Sequence, residues 1–230
     1  GVTNKLLAKK ACKICVAYDG MERFFEKDKI ILTGNPVRQG LRNHHISREE
    51  AIRSFGLDPS KKTILIVGGS LGARTINNCV MEGLDKIKAS GAQFIWQTGK
   101  IYIGEARAAV AQAGELPMLH VTDFISDMAA AYSAADLIIS RAGAGSISEF
   151  CLLQKPVILV PSPNVAEDHQ TKNALALVDK DAAIYVKDAE AEEKLLPAAL
   201  DTVKDSDKLK ELSNNIARLA LPDSATVIAK

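Results

Sequence analysis

A regular alternation of short apolar runs with longer amphipathic segments constrains the fold of this chain more than any other feature of its sequence. Runs such as Thr63–Val67 and Leu137–Ser140 are apolar almost throughout, which is typical of strands buried on both faces of a parallel sheet. Between these runs, apolar residues recur at helical spacing. The pattern predicts an α/β fold, a Rossmann-like doubly wound parallel sheet with helices on both faces.

The same periodicity, broken by Gly, Pro and Ser, predicts where the individual strands and helices lie. We expect strands at residues 14–18, 30–32, 63–67, 93–97, 118–121, 137–140, 157–160 and 183–186. We expect helices at residues 47–55, 73–88, 101–113, 128–134, 146–153 and 170–179, and from 191 to 220 with a break near 204–206.

Composition narrows the class of protein. Of the 230 residues 47% are hydrophobic, and 29 basic against 28 acidic side chains leave a net charge of +1, which indicates no nucleic-acid partner. No apolar run approaches the roughly 20 residues that span a bilayer, and no secretion signal is recognisable, so the cytoplasm is the expected compartment. The pair formed by Cys12 and Cys15 lacks the second pair that would complete a metal site.

Residues 34–40, with the sequence GNPVRQG, have the turn formers that are typical of a hinge. We therefore predict two units, with residues 1–35 as the end of an N-terminal domain plus the hinge and residues 36–230 as a complete C-terminal domain. Two strands and one basic helix cannot bury a core of their own. The chain is thus expected to begin within a domain.

The loop after the strand at residues 63–67 has the sequence GGSLGA. Glycines let backbone N–H groups approach an anion closely, and the N-terminus of the following helix adds unsatisfied donors. The loop matches neither the P-loop nor the G-x-G-x-x-G dinucleotide motif. It is consistent either with a phosphate site or with a tight turn that binds no ligand.

Two further loops are predicted at the same edge of the sheet, where ligands of such folds bind. In residues 141–149, RAGAGSISE, Ser146 and Glu149 match a helix capping box, but they also share one helix face, where a carboxylate can bind a sugar diol. The polar loop at residues 161–173 is either a surface loop in which Asp168 caps a helix or part of a ligand site.

Four motifs carry a resemblance to a known family: GGSLGAR, VTDFISDM, SRAGAGSISE and EDHQTKNA. In this order and spacing they resemble the C-terminal half of the MurG family, bacterial transferases that add N-acetylglucosamine (GlcNAc) to undecaprenyl-pyrophosphoryl-MurNAc-pentapeptide (lipid I) and so make lipid II. The resemblance runs from about Lys5 to the end. It implies a GT-B glycosyltransferase, in which two Rossmann-like domains face each other and the C-terminal one holds the nucleotide sugar.

The resemblance assigns parts of a UDP-GlcNAc site to individual residues. It implies that Gly69, Ser70 and Gly72 hold the diphosphate, with Ser70 as the side-chain donor. It implies that Phe124 and Ile125 hold uracil, with the backbone N–H and C=O of Ile125 at the edge of the base.

The loop at residues 141–149 is assigned to the ribose and the phosphates. Glu149 matches the acid that binds the ribose hydroxyls, an assignment that outranks the capping box, and Ser146 would lie beside the phosphates. Ala144 and Gly145 would let the donor sugar approach the backbone.

The remaining assignments concern the sugar and two arginines. His169 and Gln170 match positions that contact GlcNAc hydroxyls, with Asn173 behind them. Arg38 and Arg141 match family arginines near the nucleotide, and a structural ion pair is the alternative for either one.

The implied reaction is attack by the acceptor's 4-hydroxyl on the anomeric carbon of the donor, with inversion and with UDP as the leaving group. No cofactor or metal is implied, because helix N-termini and backbone N–H groups can stabilise the leaving diphosphate. The D-x-D sequence at residues 205–207 matches a helix cap.

The family's candidate base is a histidine of the N-terminal domain, so no catalytic residue is expected in this chain. His44, His45 and His120 match no base position. Lipid I and the membrane surface are expected to bind through the N-terminal domain, at the cytoplasmic face of the bacterial inner membrane, and the chain alone is expected to lack turnover. A UDP-GlcNAc 2-epimerase and a plain nucleotide-binding module are the alternatives.

Overall fold

All strands within residues 2–17, 20–42, 46–165 and 168–230, which the computed structural model describes, pair in parallel. A small two-stranded sheet contains β1 (Ile14–Val16) and β2 (Ile30–Leu32). The main six-stranded sheet contains β3 (Thr63–Val67), β4 (Gln93–Gln97), β5 (Leu119–Thr122), β6 (Leu137–Ser140), β7 (Val157–Leu159) and β8 (Ile184–Tyr185). Its strand order is β5-β4-β3-β6-β7-β8.

The helices alternate with these strands along the chain. They are α1 (Val2–Ala8), α2 (Gln39–Arg42), α3 (Arg48–Ser54), α4 (Arg74–Glu82), α5 (Leu84–Ala89), α6 (Ile103–Ala113), α7 (Met128–Ala134), α8 (Ala144–Leu152), α9 (His169–Val178), α10 (Ala191–Lys204), α11 (Ser206–Ala217) and α12 (Ser224–Ala229). Short 3-10 turns lie at Met21–Arg23, Lys27–Lys29 and Asp188–Glu190.

The main sheet has a separate hydrophobic core on each face. Since side chains alternate along a strand, Leu65 and Val67 of β3 pack into one core while Ile64 and Ile66 pack into the other. Helices α3, α7, α8 and α9 cover the first core, and α4, α5, α6 and α10 cover the second. The predicted doubly wound α/β fold is confirmed.

The predicted elements agree with the structure in type and differ mainly at their ends. The helix expected at residues 73–88 is two helices that meet at Gly83, where an added Cβ would come within 2.0 Å of Leu196 Cδ1. The helix expected at 146–153 begins earlier, at Ala144. The first predicted strand was extended to Tyr18, which lies outside the described residues.

The order of the strands creates a crevice at one place in the sheet. From β3 the chain moves outward to β4 and β5, and it then returns to the other side of β3 as β6. Strands β3 and β6 are therefore neighbours, but the chain after β3 runs toward one edge of the sheet and the chain after β6 runs toward the other. Ligands of open α/β sheets bind at such a switch point, beyond the carboxyl ends of the strands.

The hinge segment lies against the main domain. Gly34 has a φ of +75°, and an added Cβ there would come within 2.7 Å of Ser224 Oγ, so the C-terminal α12 packs on the hinge. Asn35 Nδ2 donates to Ala144 O at 3.3 Å and to Ser148 Oγ at 3.1 Å, both in α8. The division into domains at residue 35 stays a prediction.

Candidate functional site

A cleft of about 590 Å³ opens at the carboxyl edge of the sheet, at the switch point between β3 and β6. This volume is in the range of small-molecule sites. Five of the residues that the sequence predicted for a ligand site line the cleft: Gly69, Gly72, Arg141, Ser146 and Gln170. The loop at residues 161–173 also contributes, through Ser162, Pro163 and Asn164.

The two predicted glycines of the loop after β3 have different surroundings. Both have a φ of +83°, in the left-handed region that favours glycine. An added Cβ at Gly72 would come within 2.1 Å of Thr98 O, whereas one at Gly69 would meet nothing within 4 Å. The N–H of Gly72 donates to Gly69 O at 3.0 Å. Gly72 therefore packs the loop against the protein, and Gly69 faces open space.

Two helices begin at the cleft. The N-cap of α4 is Ala73 and the N-cap of α8 is Gly143, and neither residue has a side-chain cap hydrogen bond. The N–H groups of a first helical turn have no partner within the helix, and they carry roughly half a positive charge. The two N-termini together make the cleft suited to an anion. Ser70, between the two glycines of the loop, is exposed.

The capping-box alternative for Ser146 and Glu149 is wrong. Because α8 begins at Ala144, Ser146 lies in the first turn of the helix and is not its N-cap. Glu149 instead accepts a hydrogen bond of 2.7 Å from Tyr132 Oη and lies 3.5 Å from Arg38 Nη2. Its side chain is 15% exposed. Glu149 lies one helical turn from Ser146 and is not among the residues that line the cleft.

Tyr132 of α7 fixes the position of the Glu149 carboxylate. Its ring packs edge-on against Phe150, with centroids 5.9 Å apart. Burial raises the pKa of Tyr132, and its hydrogen bond to Glu149 raises that pKa further, so the phenol stays protonated as a donor. A carboxylate has room for about four hydrogen bonds, so Glu149 keeps acceptor positions for other hydroxyls.

Arg141 forms a structural ion pair. Its Nη1 bonds the carboxylate of Asp188 and also donates to Val160 O at 3.0 Å and Pro161 O at 3.2 Å. Thr75 Oγ1 donates to the same Asp188 carboxylate at 2.9 Å. Arg141 thus joins the carboxyl ends of β6 and β7 to the segment after β8, and the ion-pair alternative is confirmed for this arginine.

Sequence reasoning missed Asp188 and Thr75, which both line the cleft. The signal that could have found Asp188 is its place just after a predicted strand, at the carboxyl edge where the other loops lie. Thr75 lies in the first turn of the helix that follows the glycine loop. Tyr102 also lines the cleft and was also missed, although it follows β4 at the same carboxyl edge of the sheet.

Gln170 and Asn173 hold the loop after β6 in place. Gln170 Oε1 accepts from the N–H of Ala142 at 3.2 Å and from that of Ser162 at 2.9 Å. Asn173 Nδ2 donates to Ala142 O at 3.1 Å. Because two N–H groups orient the Gln170 amide, its Nε2 is the atom left to donate to a ligand.

In the third loop, the helix expected at residues 170–179 begins one residue earlier, at His169. Asp168 occupies its N-cap position, but the Asp168 side chain makes no cap hydrogen bond to the backbone and accepts instead from Thr171 Oγ1 at 2.6 Å. His169, the first residue of α9, is exposed. Residues 166 and 167 of this loop lie outside the described residues.

The segment assigned to uracil lies beside the glycine loop. Phe124 is 52% exposed, whereas the Ile125 side chain is buried in the core that α7 covers. The N–H of Ile125, which the resemblance assigns to the edge of the base, donates here to Gln97 Oε1 at 3.2 Å.

Two residues that could in principle serve as a base or a metal ligand, His120 and Asp205, make structural contacts instead. His120 of β5 packs edge-on against Phe55, and Asp205 caps α11 by accepting from the N–H of Lys208 at 2.9 Å. His44 and His45 lie outside the described residues.

Within the described ranges, no three His, Cys, Asp or Glu side chains are grouped to hold a metal ion. No helix in that part of the chain has the length and hydropathy needed to cross a membrane.

Comparison with known proteins gives consistent results. A UDP-N-acetylglucosamine--N-acetylmuramyl-(pentapeptide) pyrophosphoryl-undecaprenol N-acetylglucosamine transferase of Phocaeicola vulgatus is 90% identical over 230 residues, which are 100% of this chain and 61% of that protein. The crystal structure of Acinetobacter baumannii MurG is 28% identical with a TM-score of 0.74, and the match covers 99% of this chain and 62% of that one. These matches confirm the resemblance to the MurG family.

A more distant solved structure shares the fold alone. The UDP-GlcNAc 2-epimerase of Neisseria meningitidis, bound to UDP-GlcNAc, is 15% identical with a TM-score of 0.70, over 99% of this chain and 62% of that one. The description "Glycosyltransferase family 28 C-terminal domain" belongs to the family model that matches residues 63–228, most of the chain. The chain therefore belongs to glycosyltransferase family 28 and contains the C-terminal domain of that family.

Proposed function

We propose that this chain is the donor-binding part of an inverting, metal-independent transferase that moves GlcNAc from UDP-GlcNAc to lipid I and so forms lipid II in peptidoglycan synthesis. The observation that carries the proposal is the cleft at the switch point, where the N-termini of α4 and α8 and the open face of Gly69 converge. A diphosphate is the ligand group that such a cleft stabilises best.

The diphosphate lies in the cleft, between the loop of Gly69 and Ser70 and the first turn of α8 with Ser146. Gly72 shapes this loop by packing against Thr98, and its N–H remains in the turn. As the bond to the sugar breaks, negative charge builds up on the leaving UDP. Donors that are already oriented stabilise that charge without reorganisation.

The ribose binds to Glu149 at the side of the cleft. The support for this role is a partly buried carboxylate, oriented by Tyr132, that keeps free acceptor positions one helical turn from Ser146. Arg38, in the hinge, lies beside the same carboxylate. Uracil lies against the exposed Phe124 and the backbone C=O of Ile125, because the N–H of Ile125 donates to Gln97.

The GlcNAc group extends toward α9. Gln170 donates through Nε2, His169 flanks it, and Ala144 and Gly145 lie where the sugar approaches the backbone of α8. Asn173 and Arg141 support the loops behind the sugar, as their hydrogen bonds to Ala142, Val160 and Pro161 indicate.

The catalytic base, the lipid I site and the contact with the membrane surface belong to an N-terminal domain, of which residues 1–35 are the end. The chain spans about 61% of the length of the P. vulgatus relative. The whole enzyme acts as a peripheral protein at the cytoplasmic face of the bacterial inner membrane, and the 230-residue chain binds donor without turnover.

Calorimetry with UDP, UDP-GlcNAc and NAD tests the proposal. We expect UDP and UDP-GlcNAc to bind and NAD not to bind. Failure of UDP to bind, or preference for NAD, would overturn the donor site. Release of ManNAc from UDP-GlcNAc by the chain would favour the epimerase alternative.

A variant series tests the assigned residues. Glu149→Gln should weaken UDP about tenfold and leave 2′,3′-dideoxyuridine diphosphate almost unchanged, since only the ribose hydroxyls need the carboxylate. Ser70→Ala should also weaken UDP. Glu192→Gln, at an exposed position of α10, is the matched control. Equal losses for UDP and its dideoxy analogue in Glu149→Gln would contradict the ribose assignment.

A further inference from the structure

Gln97 connects the two loops that the proposed function assigns to opposite ends of the nucleotide. It is the last residue of β4 and is only 4% exposed. Its Nε2 donates to Gly69 O at 3.1 Å, in the glycine loop, and its Oε1 accepts from the N–H of Ile125 at 3.2 Å, in the segment after β5. Both ends of one buried amide are therefore used, each on a different loop.

The chemistry of these contacts requires an amide. Gly69 presents a carbonyl, which needs a donor, and Ile125 presents an N–H, which needs an acceptor. A carboxylate could serve only Ile125, and it would place negative charge beside the Gly69 carbonyl. A buried polar group that loses its partner costs about 1–3 kcal/mol, so the two loops are held at one spacing.

The contact with Gly69 acts at the turn itself. The same Gly69 carbonyl accepts the N–H of Gly72 at 3.0 Å, and that hydrogen bond closes the turn of the loop. The Ile125 side chain is anchored in the core. Gln97 thus joins the turn that faces the cleft to a residue of the neighbouring loop whose side chain is packed in the core.

We infer that Gln97 is a positioning residue that does not touch the ligand. It sets the distance between the glycine loop, which binds the diphosphate, and the segment of Phe124 and Ile125, which binds uracil. This inference rests on the proposed function, because it needs a nucleotide diphosphate that spans both loops. A ligand that binds to only one of the loops gains little from the tie. UDP, which reaches both, gains from having the two halves of its site already aligned.

The same strand contains a matched control. Gln93, at the amino end of β4, is also buried, and both ends of its amide are used, by the backbone of Asp58 and by Thr63 Oγ1. Gln93 lies at the opposite end of the strand from the cleft. It is therefore equal to Gln97 in chemistry and burial and differs in location.

Calorimetric titration of the 230-residue chain and its Gln97→Met and Gln93→Met variants tests the inference, with UDP, uridine and inorganic pyrophosphate as ligands. In Gln97→Met the UDP affinity should fall about tenfold, while uridine and pyrophosphate should each lose less than about threefold. In Gln93→Met all three affinities should be unchanged, although thermal unfolding should show a loss of stability in both variants.

The outcomes separate this inference from the proposed function. If wild-type chain does not bind UDP, the proposed function fails, and the inference fails with it. If wild type binds UDP and Gln97→Met binds it equally well, or if Gln93→Met weakens UDP as much, only the inference is overturned. Should Gln97→Met not fold, Gln97→Glu replaces it, since it keeps the acceptor for Ile125, and unchanged UDP affinity in that variant would also refute the role.

Discussion

The hydroxyl of Tyr132 donates a 2.7 Å hydrogen bond to Oε2 of Glu149, and this bond joins α7 to α8 beside the cleft. The ring of Tyr132 is held separately, by its edge-on contact with Phe150. The hydroxyl and the ring can therefore be tested independently.

Tyr132→Phe should keep the ring packing and remove the hydrogen bond. We expect the UDP affinity to fall about fivefold, because the Glu149 carboxylate loses the group that orients it, a hydrogen bond worth about 1 kcal/mol. Calorimetry gives the affinity, and urea unfolding gives the stability. Tyr185→Phe, in the edge strand β8, is the control. Reduced stability with unchanged UDP affinity would show that the hydroxyl serves only the fold.

Gly69 and Gly72, which both line the cleft, should respond differently to alanine. Gly72→Ala would force a Cβ to within 2.1 Å of Thr98 O, so we expect it to lower the free energy of unfolding by more than about 2 kcal/mol. Gly69→Ala has open space and only the strain of a positive φ, about 1 kcal/mol. Thermal unfolding of both variants measures this, and equal losses would contradict the packing role of Gly72.

Arg141→Met should destabilise the protein by about 2–4 kcal/mol, because it leaves the partly buried Asp188 carboxylate without its cation. Arg141→Lys should recover part of this loss, since all three contacts of Arg141 come from one nitrogen, Nη1, and an ammonium group keeps both the charge and three donors. Arg53→Met, which removes the exposed ion pair with Glu49, should cost less than about 0.5 kcal/mol. Urea unfolding compares the three variants, and similar costs for Arg141→Met and Arg53→Met would sink the structural role of Arg141.

Two of the four cysteine thiols should react rapidly with a thiol reagent, and the other two should react slowly. Cys12 and Cys15 are exposed, whereas burial raises the pKa of Cys79 to about 11 and that of Cys151 to about 12. The thiolate is the reactive form, and at pH 8 both buried thiols stay protonated. A colorimetric thiol reagent should therefore titrate two groups rapidly in the native chain and all four in denaturant. A third fast thiol would show that one of the two buried sites opens.

Much of the fold follows from local patterns in the sequence. The bounds of β3, β4 and β6 were predicted to the residue, because the interior positions of a strand buried on both faces form an unbroken apolar run. The break of the 73–88 helix at Gly83 was not predicted, and the close packing of the distant Leu196 against Gly83 is not visible in the local sequence. The start of α8 was misplaced because S-x-x-E matches a capping box wherever it occurs.

The sequence by itself determined the fold class, the loops at the carboxyl ends of the strands and, through four motifs, the family. Only the tertiary structure decided which side chains meet: Arg141 with Asp188, 47 residues later, Tyr132 with Glu149, 17 residues later, and Gln97 with two loops that each lie 28 residues away. The reason is physical. Periodicity records the burial of each element, whereas contacts between loops depend on the strand order, which no local pattern contains.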